Sequence, residues 1–321
     1  MLPGPGCHKQ AEGLRLSHGE GTLAGACPPG RGEAGPERTT GRCKVVGIDL
    51  HVFGQPLSLT TAVPGGPMRL ADLVPLAWSV SDQLVRRGLL VAQGAGHMPP
   101  CHRGCAACCR YAVPLSVPEA FRLADDVAAL PPGRRALAEK TFAAAVGRIL
   151  QAGPPPGADT EATAQPAATC APAARARTQS ASQAAGETRQ AGLQTFAHWY
   201  ASIDIACPFL MGDVCDIYPS RPTACREHMV TSAPQLCRDA DPAAGAALPL
   251  PFSLAHALGV LAAELEGTEV ESILLPTVLS WTALAPARSH RRWPGPAMVE
   301  HFAAILRRLS AEESPRVAGA A

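Results

Sequence analysis

Four thiols stand within nine residues at Cys101-His102-Arg103-Gly104-Cys105-Ala106-Ala107-Cys108-Cys109, and four more follow at Cys207, Cys215, Cys225 and Cys237. Packing alone is a poor account of such density. The Cys105 to Cys108 spacing is that of a metal knuckle, in which a tight turn aims two sulfurs at one ion, and Gly104 eases such a turn. Cys108 and Cys109 are adjacent and point in different directions, so they serve different metals or only one of them is a ligand. Eight thiolates suit two tetrahedral zinc sites of four sulfurs each, or one four-cysteine iron-sulfur cluster with additional thiols. Both arrangements stay open at this stage.

A zinc ion held by four thiolates carries net negative charge, which must be offset where it is partly buried. Arg103, Arg110, Arg226 and Arg238 each lie within two residues of a cluster cysteine, with Arg221 close by. Some of them are expected to neutralise or hydrogen-bond the sulfurs. His102 and His228 sit beside cluster residues, but the sulfurs already suffice as ligands. Asp213 and Asp216 read as turn residues. Trp199 and Tyr200, just before Cys207, are expected to pack over the cluster. Cys7, Cys27, Cys43 and Cys170 fall in tail or low-complexity sequence and are set aside as ligands.

Composition removes other classes of function. The net charge of +1, with Lys and Arg dispersed, gives no reason to expect nucleic acid or an anionic membrane as the main partner. The first residues lack the basic stretch and the apolar run of about 7 to 15 residues of a secretory signal. The longest apolar stretch, Ile273 to Ala287, is broken by Pro276 and is shorter than the roughly 20 residues of a membrane-spanning helix. A cytoplasmic protein is the resulting expectation, and in a reducing compartment clustered cysteines bind metal more often than they form disulfides. Gly94-Ala95-Gly96 lacks the rest of a dinucleotide fingerprint. Neither a P-loop nor a His-Glu-x-x-His pair is present, so no catalytic motif is recognisable.

The segments CHRGCAACC, CPFLMGDVC and IYPSRPTACRE together resemble the YkgJ-type cysteine-cluster proteins, described as a zinc- or iron-chelating domain. The match lies at Cys101 to Cys109, Cys207 to Tyr218 and Arg221 to Arg226. It spans about Pro100 to Cys237 without the low-complexity insertion. The resemblance implies metal chelation and brings no defined reaction. Enzymes that methylate flagellin lysines have a similar cluster, so it also admits an iron-sulfur protein with a redox or methyltransferase-like role.

The elements that must position these residues are mainly helical. Val46, Ile48, Leu50 and Val52 alternate with polar or small residues, and Leu57, Leu59, Thr61 and Val63 do so after Phe53-Gly54-Gln55-Pro56, which predicts a β-hairpin. Leu73, Ala77, Val80 and Leu84 predict a helix over 72–87, with Pro75 in its first turn and Gly88 ending it. Ser116 and Glu119 have capping-box spacing ahead of a stripe of Ala120, Leu123, Ala124 and Val127 that closes at Pro131-Pro132-Gly133. A further helix is expected over 134–151 with Phe142, Ala145, Val146 and Ile149 inward. Near the second cysteine group, Ser220 is expected to cap a short helix that carries Cys225 and Arg226. Leu254, Leu258, Leu261 and Leu265 share one face between an N-cap at Ser253 and Gly267, and Val299, Phe302, Ala303 and Leu306 mark a last helix.

The expected fold class is therefore α+β, mainly α with a small N-terminal β-hairpin around an irregular cysteine-rich metal-binding core. Residues 1–44 read as a disordered tail and 45–310 as a single cysteine-cluster domain. Within that domain a low-complexity insertion occupies about 152–192, and 311–321 form a flexible tail.

Overall fold

The structure is a computed structural model, and it describes residues 43–156, 168–169, 192–238 and 247–313. It opens on an antiparallel hairpin of β1 (Cys43–Val52) and β2 (Gln55–Pro64). Only Phe53 and Gly54 separate the strands, both at positive φ (53° and 71°), the two-residue turn whose twist matches that of a hairpin. Gln55 and Pro56, expected in the connection, are already in β2. Val46, Ile48, Leu50 and Val52 are buried while their neighbours are exposed, so one face of the hairpin meets the core.

A two-residue strand, β3 (Pro67–Met68), leads into α1 (Leu70–Gly94). This helix runs seven residues, about two turns, past Arg87, where the sequence pattern ends it, because Gly88 does not stop it. Gly88 is buried inside the helix, where an added Cβ would lie 3.0 Å from Leu248 Cδ2 and 3.1 Å from Leu250 Cδ2. The glycine marks a close approach by the chain returning from the second cysteine group. Tertiary packing therefore outweighs its weak helix propensity.

β4 (Pro114–Leu115) precedes α2 (Val117–Ala128), whose capping box forms as its spacing predicts. α3 (Pro132–Ala152) follows, with Ala138, Phe142 and Ala145 buried and Val146 and Ile149 half-buried. Residues 157–167 and 170–191, most of the expected insertion, lie outside the described residues, apart from β5 (Ala168–Thr169), which pairs with the later strand β8 (Glu271–Leu274). A helix over 192–203, α4, returns the chain to the second cysteine group. That group is carried by β6 (Leu210–Met211), β7 (Val214–Cys215), α5 (Thr223–Glu227) and α6 (Pro234–Arg238).

The remainder covers the core. α7 (Leu254–Glu266) starts at Ser253, whose Oγ accepts from His256 N, and stops at Gly267 in the left-handed conformation (φ 69°). Beyond β8 come α8 (Val278–Ala283), α9 (Pro286–Ser289), β9 (Trp293–Pro294) and α10 (Gly295–Glu313). Val299, Phe302, Ala303 and Leu306 of α10 are buried, and the helix lies against both the hairpin and α7. The apolar segment from Ile273 to Ala287 is divided among β8, a 3-10 turn and two short helices. Among the described residues no helix is long and apolar enough to cross a membrane.

The protein is mixed α+β and mainly helical. One continuous apolar core runs through the hairpin, α1, α2, α7, α8 and α10. The described residues begin at Cys43, in β1, and the last helix reaches Glu313, where the sequence places the domain at 45–310. Cys43, grouped with the tail on sequence grounds, is the first residue of β1; Cys7, Cys27 and Cys170 lie outside the described residues.

Candidate metal centre

The first cysteine group folds as a succession of tight turns. Cys105 N donates to His102 O (3.1 Å), Cys109 N to Ala106 O (3.0 Å) and Tyr111 N to Cys108 O (3.0 Å), with Gly104 at φ 96°. This is the backbone that a knuckle requires, and the glycine permits the sharpest of its turns. Cys101 Sγ accepts from the backbone N–H of Val230 at 3.5 Å, a long contact but an ordinary one for sulfur. Tyr111 OH donates to Cys237 O at 2.7 Å. Residues remote in sequence thus meet the first group directly.

The second group begins on a small hairpin. Leu210 pairs with Cys215 across a turn in which Gly212 has φ 61°, and Cys207 precedes it by three residues. Cys207 N donates to Cys109 O at 2.7 Å, a backbone bond that ties the two groups together. Cys225 sits in the middle of α5, where a web of buried polar contacts holds it. Glu119 Oε1 accepts from both Thr223 N and Thr223 Oγ1 at 2.7 Å, while its Oε2 accepts from Ser116 N (3.2 Å) and Ser116 Oγ (2.8 Å). A single buried side chain therefore closes the capping box of α2 and caps α5 as well. Ser220, expected to cap this helix, lies in a 3-10 turn ahead of it instead.

Arg226 and Glu227 complete the anchor. Arg226 donates to Asp82 Oδ1 on α1 (2.7 Å), to Arg221 O (3.0 Å) and to Pro219 O, and its guanidinium lies 5.0 Å from the Trp78 ring centroid. Glu227 Oε1 accepts from Leu254 N at the start of α7 (3.0 Å) and from Ser81 Oγ on α1 (3.3 Å). Burial pushes the Glu227 carboxyl up to about 7, against the pull of those hydrogen bonds. Three helices of the core, α1, α2 and α7, thus fix the five residues around Cys225.

All eight cluster cysteines are free thiols; Cys237 is buried and the other seven are half-buried. Hydrogen bonding to Cys109, followed by burial, raises Cys108. Burial first, then the neighbouring Cys215 and Cys108, pushes Cys207 up to about 12. Cys225 is raised by burial, then by Cys207, Cys108 and Cys215. Burial is also the leading cause that raises Cys101, Cys215 and Cys237. The hydrogen bonds from Cys207 N to Cys109 O, from Val230 N to Cys101 Sγ and from Tyr111 OH to Cys237 O bring the segments that carry these thiols together. Among the described residues, however, no three His, Cys, Asp or Glu side chains surround a common point closely enough to hold an ion as they stand. As a donor set the thiols are uniformly soft, which suits zinc or iron-sulfur centres and disfavours magnesium or calcium. Their chemistry fits such a metal, and their side chains would have to close onto it.

The arginines divide. Arg226 is committed to Asp82 and Trp78, and Arg110 to Asp204 (2.6 Å), so neither serves the sulfurs as expected. Arg103 lies 5.9 Å from the Tyr218 ring centroid, and the Arg238 side chain lies outside the described residues. Arg221 stacks on Tyr218 at 4.1 Å, and its buried Nε has no hydrogen-bond partner. Its charge acts to lower Cys101, Cys108, Cys215 and Cys225.

His102 Nδ1 is within hydrogen-bonding distance of Pro100 O (2.7 Å), and His228 packs edge-on against Tyr111 with its ring centroid 5.6 Å away. Asp216 pairs with Arg134. Tyr200 is buried beside Ile203, Ile205 and Ala145, and burial together with nearby Cys207 pushes its hydroxyl up to about 12. Trp199 packs on the outside of that same small cluster.

Sequence reasoning did not single out Glu227, Asp82, Ser81 or Tyr111. The capping box did draw attention to Glu119, but only for its local role. In comparisons with known proteins the chain matches no protein-family model, no curated protein and no solved structure.

Proposed function

We propose that this chain is a metal-binding protein that holds zinc or iron through Cys101, Cys105, Cys108, Cys109, Cys207, Cys215, Cys225 and Cys237 or a subset of them. The observation that carries this reading is the gathering of free thiols from four chain segments, two of them joined by the Cys207 N to Cys109 O bond. Soft sulfur donors in that number match zinc or an iron-sulfur cluster. A metal there would pin the helical segment before Cys207 to the chain that follows it. Structural zinc contributes an apparent ~10–16 kcal/mol in small domains, against a total domain stability of ~5–15 kcal/mol. Occupancy would therefore dominate the stability of the cysteine region.

Anaerobic purification followed by elemental analysis and a visible spectrum tests the reading. Bound zinc gives a colourless protein, and an iron-sulfur cluster gives a brown one. The second outcome would open the redox or protein-modification role that the sequence resemblance admits. A protein that holds no stoichiometric metal under these conditions, and takes up none when zinc or ferrous iron is supplied, is not a chelator.

A further inference from the structure

The hairpin of β1 and β2 is a two-stranded sheet, and the fold treats its two edges differently. In an antiparallel pair alternate residues turn both N–H and C=O toward the partner strand, and the others turn them outward. The two-residue turn makes Val52 and Gln55 a hydrogen-bonded pair, which leaves Gly47, Asp49 and His51 outward on β1 and Ser58, Thr60 and Ala62 outward on β2. α10 covers the first edge. Arg307 Nη2 donates to Gly47 O (3.4 Å) and Ser310 Oγ to His51 O (2.5 Å), while Lys44 pairs with Glu300 (2.6 Å). Among the described residues nothing bonds to the outward backbone groups of Ser58, Thr60 and Ala62, and Ser58 and Thr60 are exposed.

Exposed edge strands normally carry a charge, a bulge or an interior proline that stops a further strand from adding. β2, QPLSLTTAVP, has no charged residue, and its register with β1 is unbroken. Its prolines, Pro56 and Pro64, stand at the two ends of the open stretch, each four residues from Thr60. At Pro64 the edge closes, since a Cβ on Gly295 would lie 2.9 Å from Pro64 O. That spacing is self-complementary. We propose that β2 is a dimerisation edge, on which a second copy of this chain adds its own β2 antiparallel about a two-fold axis at Thr60, making a four-stranded sheet. Ser58 then faces the partner's Ala62 and Thr60 faces the partner's Thr60, each pair exchanging two backbone hydrogen bonds. Pro56 falls opposite the partner's Pro64, so the residues that lack an N–H meet each other and every donor between them finds an acceptor. No like charges are brought together, because the strand has none. A foreign peptide gains nothing from the mirrored prolines, which favours a second copy as the added strand. The joined edge is short, so the dimer forms in a concentration-dependent way. Nothing in this pairing depends on a bound metal.

Sedimentation equilibrium of the full chain from about 1 μM to about 1 mM, a range that covers weak to moderate self-association, provides the test. The wild type should pass from monomer to dimer within it. Thr60→Lys and Thr60→Glu each set like charges against each other at the axis, and each should weaken self-association by about fivefold or more. Mixed in equal amounts, the two variants should pair with each other at least as tightly as the wild type pairs with itself. Thr60→Pro, which removes the central N–H donors, should stay monomeric, and it decides alone should a charged variant not fold. A wild type that is monomeric across the range overturns the proposal and leaves the edge to an extended peptide of another protein. A dimer that all three variants leave unchanged overturns it as well, because another surface then joins the copies. Weakened homodimers that fail to pair in the mixture would overturn the two-fold register at Thr60.

Discussion

Replacing Glu119 with alanine tests whether the cysteine region depends on a polar anchor in the helical core. The side chain is 3% exposed and accepts four hydrogen bonds, two from backbone N–H groups at Ser116 and Thr223 and two from their hydroxyls. Alanine leaves all four donors without that partner. The hydroxyls can rotate toward other acceptors, but the two backbone groups cannot move without shifting the starts of α2 and α5. An unsatisfied buried donor costs about 1–3 kcal/mol, so the two together should cost about 4 kcal/mol. That is a large share of a typical domain's ~5–15 kcal/mol.

Urea denaturation followed by far-UV circular dichroism measures the loss, and the rate at which a thiol reagent labels Cys225 reports whether α5 has come loose. Glu119→Gln should lose less, because its amide oxygen can still cap Thr223 while its NH2 faces the Ser116 donors. A cost below about 1 kcal/mol for Glu119→Ala, with Cys225 labelled no faster than in the wild type, would refute the anchoring argument.

Three further outcomes follow from the same structure. Glu227 is raised from 4.5 to about 7 in the folded state, so the native protein keeps a proton there that the unfolded chain has lost. Its contribution is full below about pH 4.5 and falls by about 3 kcal/mol as pH rises toward 7. The melting-temperature advantage of Glu227→Gln over the wild type should therefore grow across that window, and a pH-independent difference would contradict the burial argument. Arg288 bridges Glu266, whose side chain is 1% exposed, and Glu271; Arg288→Ala strands both carboxylates and should cost about 3–5 kcal/mol in urea unfolding, with Arg288→Lys recovering only part of it. Gly88→Leu should destabilise by about 1–3 kcal/mol despite leucine's higher helix propensity, because Leu248 and Leu250 occupy the space; a more stable variant would show that the contact is loose.

Much of the scaffold was legible from local pattern. Alternation set the hairpin, the leucines of α7 and the apolar face of α10 gave their helices, and Ser116-x-x-Glu119 marked the start of α2, since each of these signals acts between residues near in sequence. Gly88 misled because its role depends on Leu248 and Leu250, about 160 residues later. Ser220 misled because Glu119, from another helix, caps α5 in its place.

For the site, the sequence by itself determined the chemistry. The cysteine types, their knuckle spacing and the nearby arginines were all present in the linear order. Only the tertiary structure decided which of them meet. It joined Cys207 to Cys109, turned Arg110 and Arg226 away toward aspartates, stacked Arg221 on Tyr218, and packed Cys101, Cys105 and Cys237 in one small apolar cluster while Cys207 lies against the main core. The physical reason is that a side chain's chemistry travels with its residue, whereas its partners are chosen by long-range burial and hydrogen bonding that no short window of sequence contains.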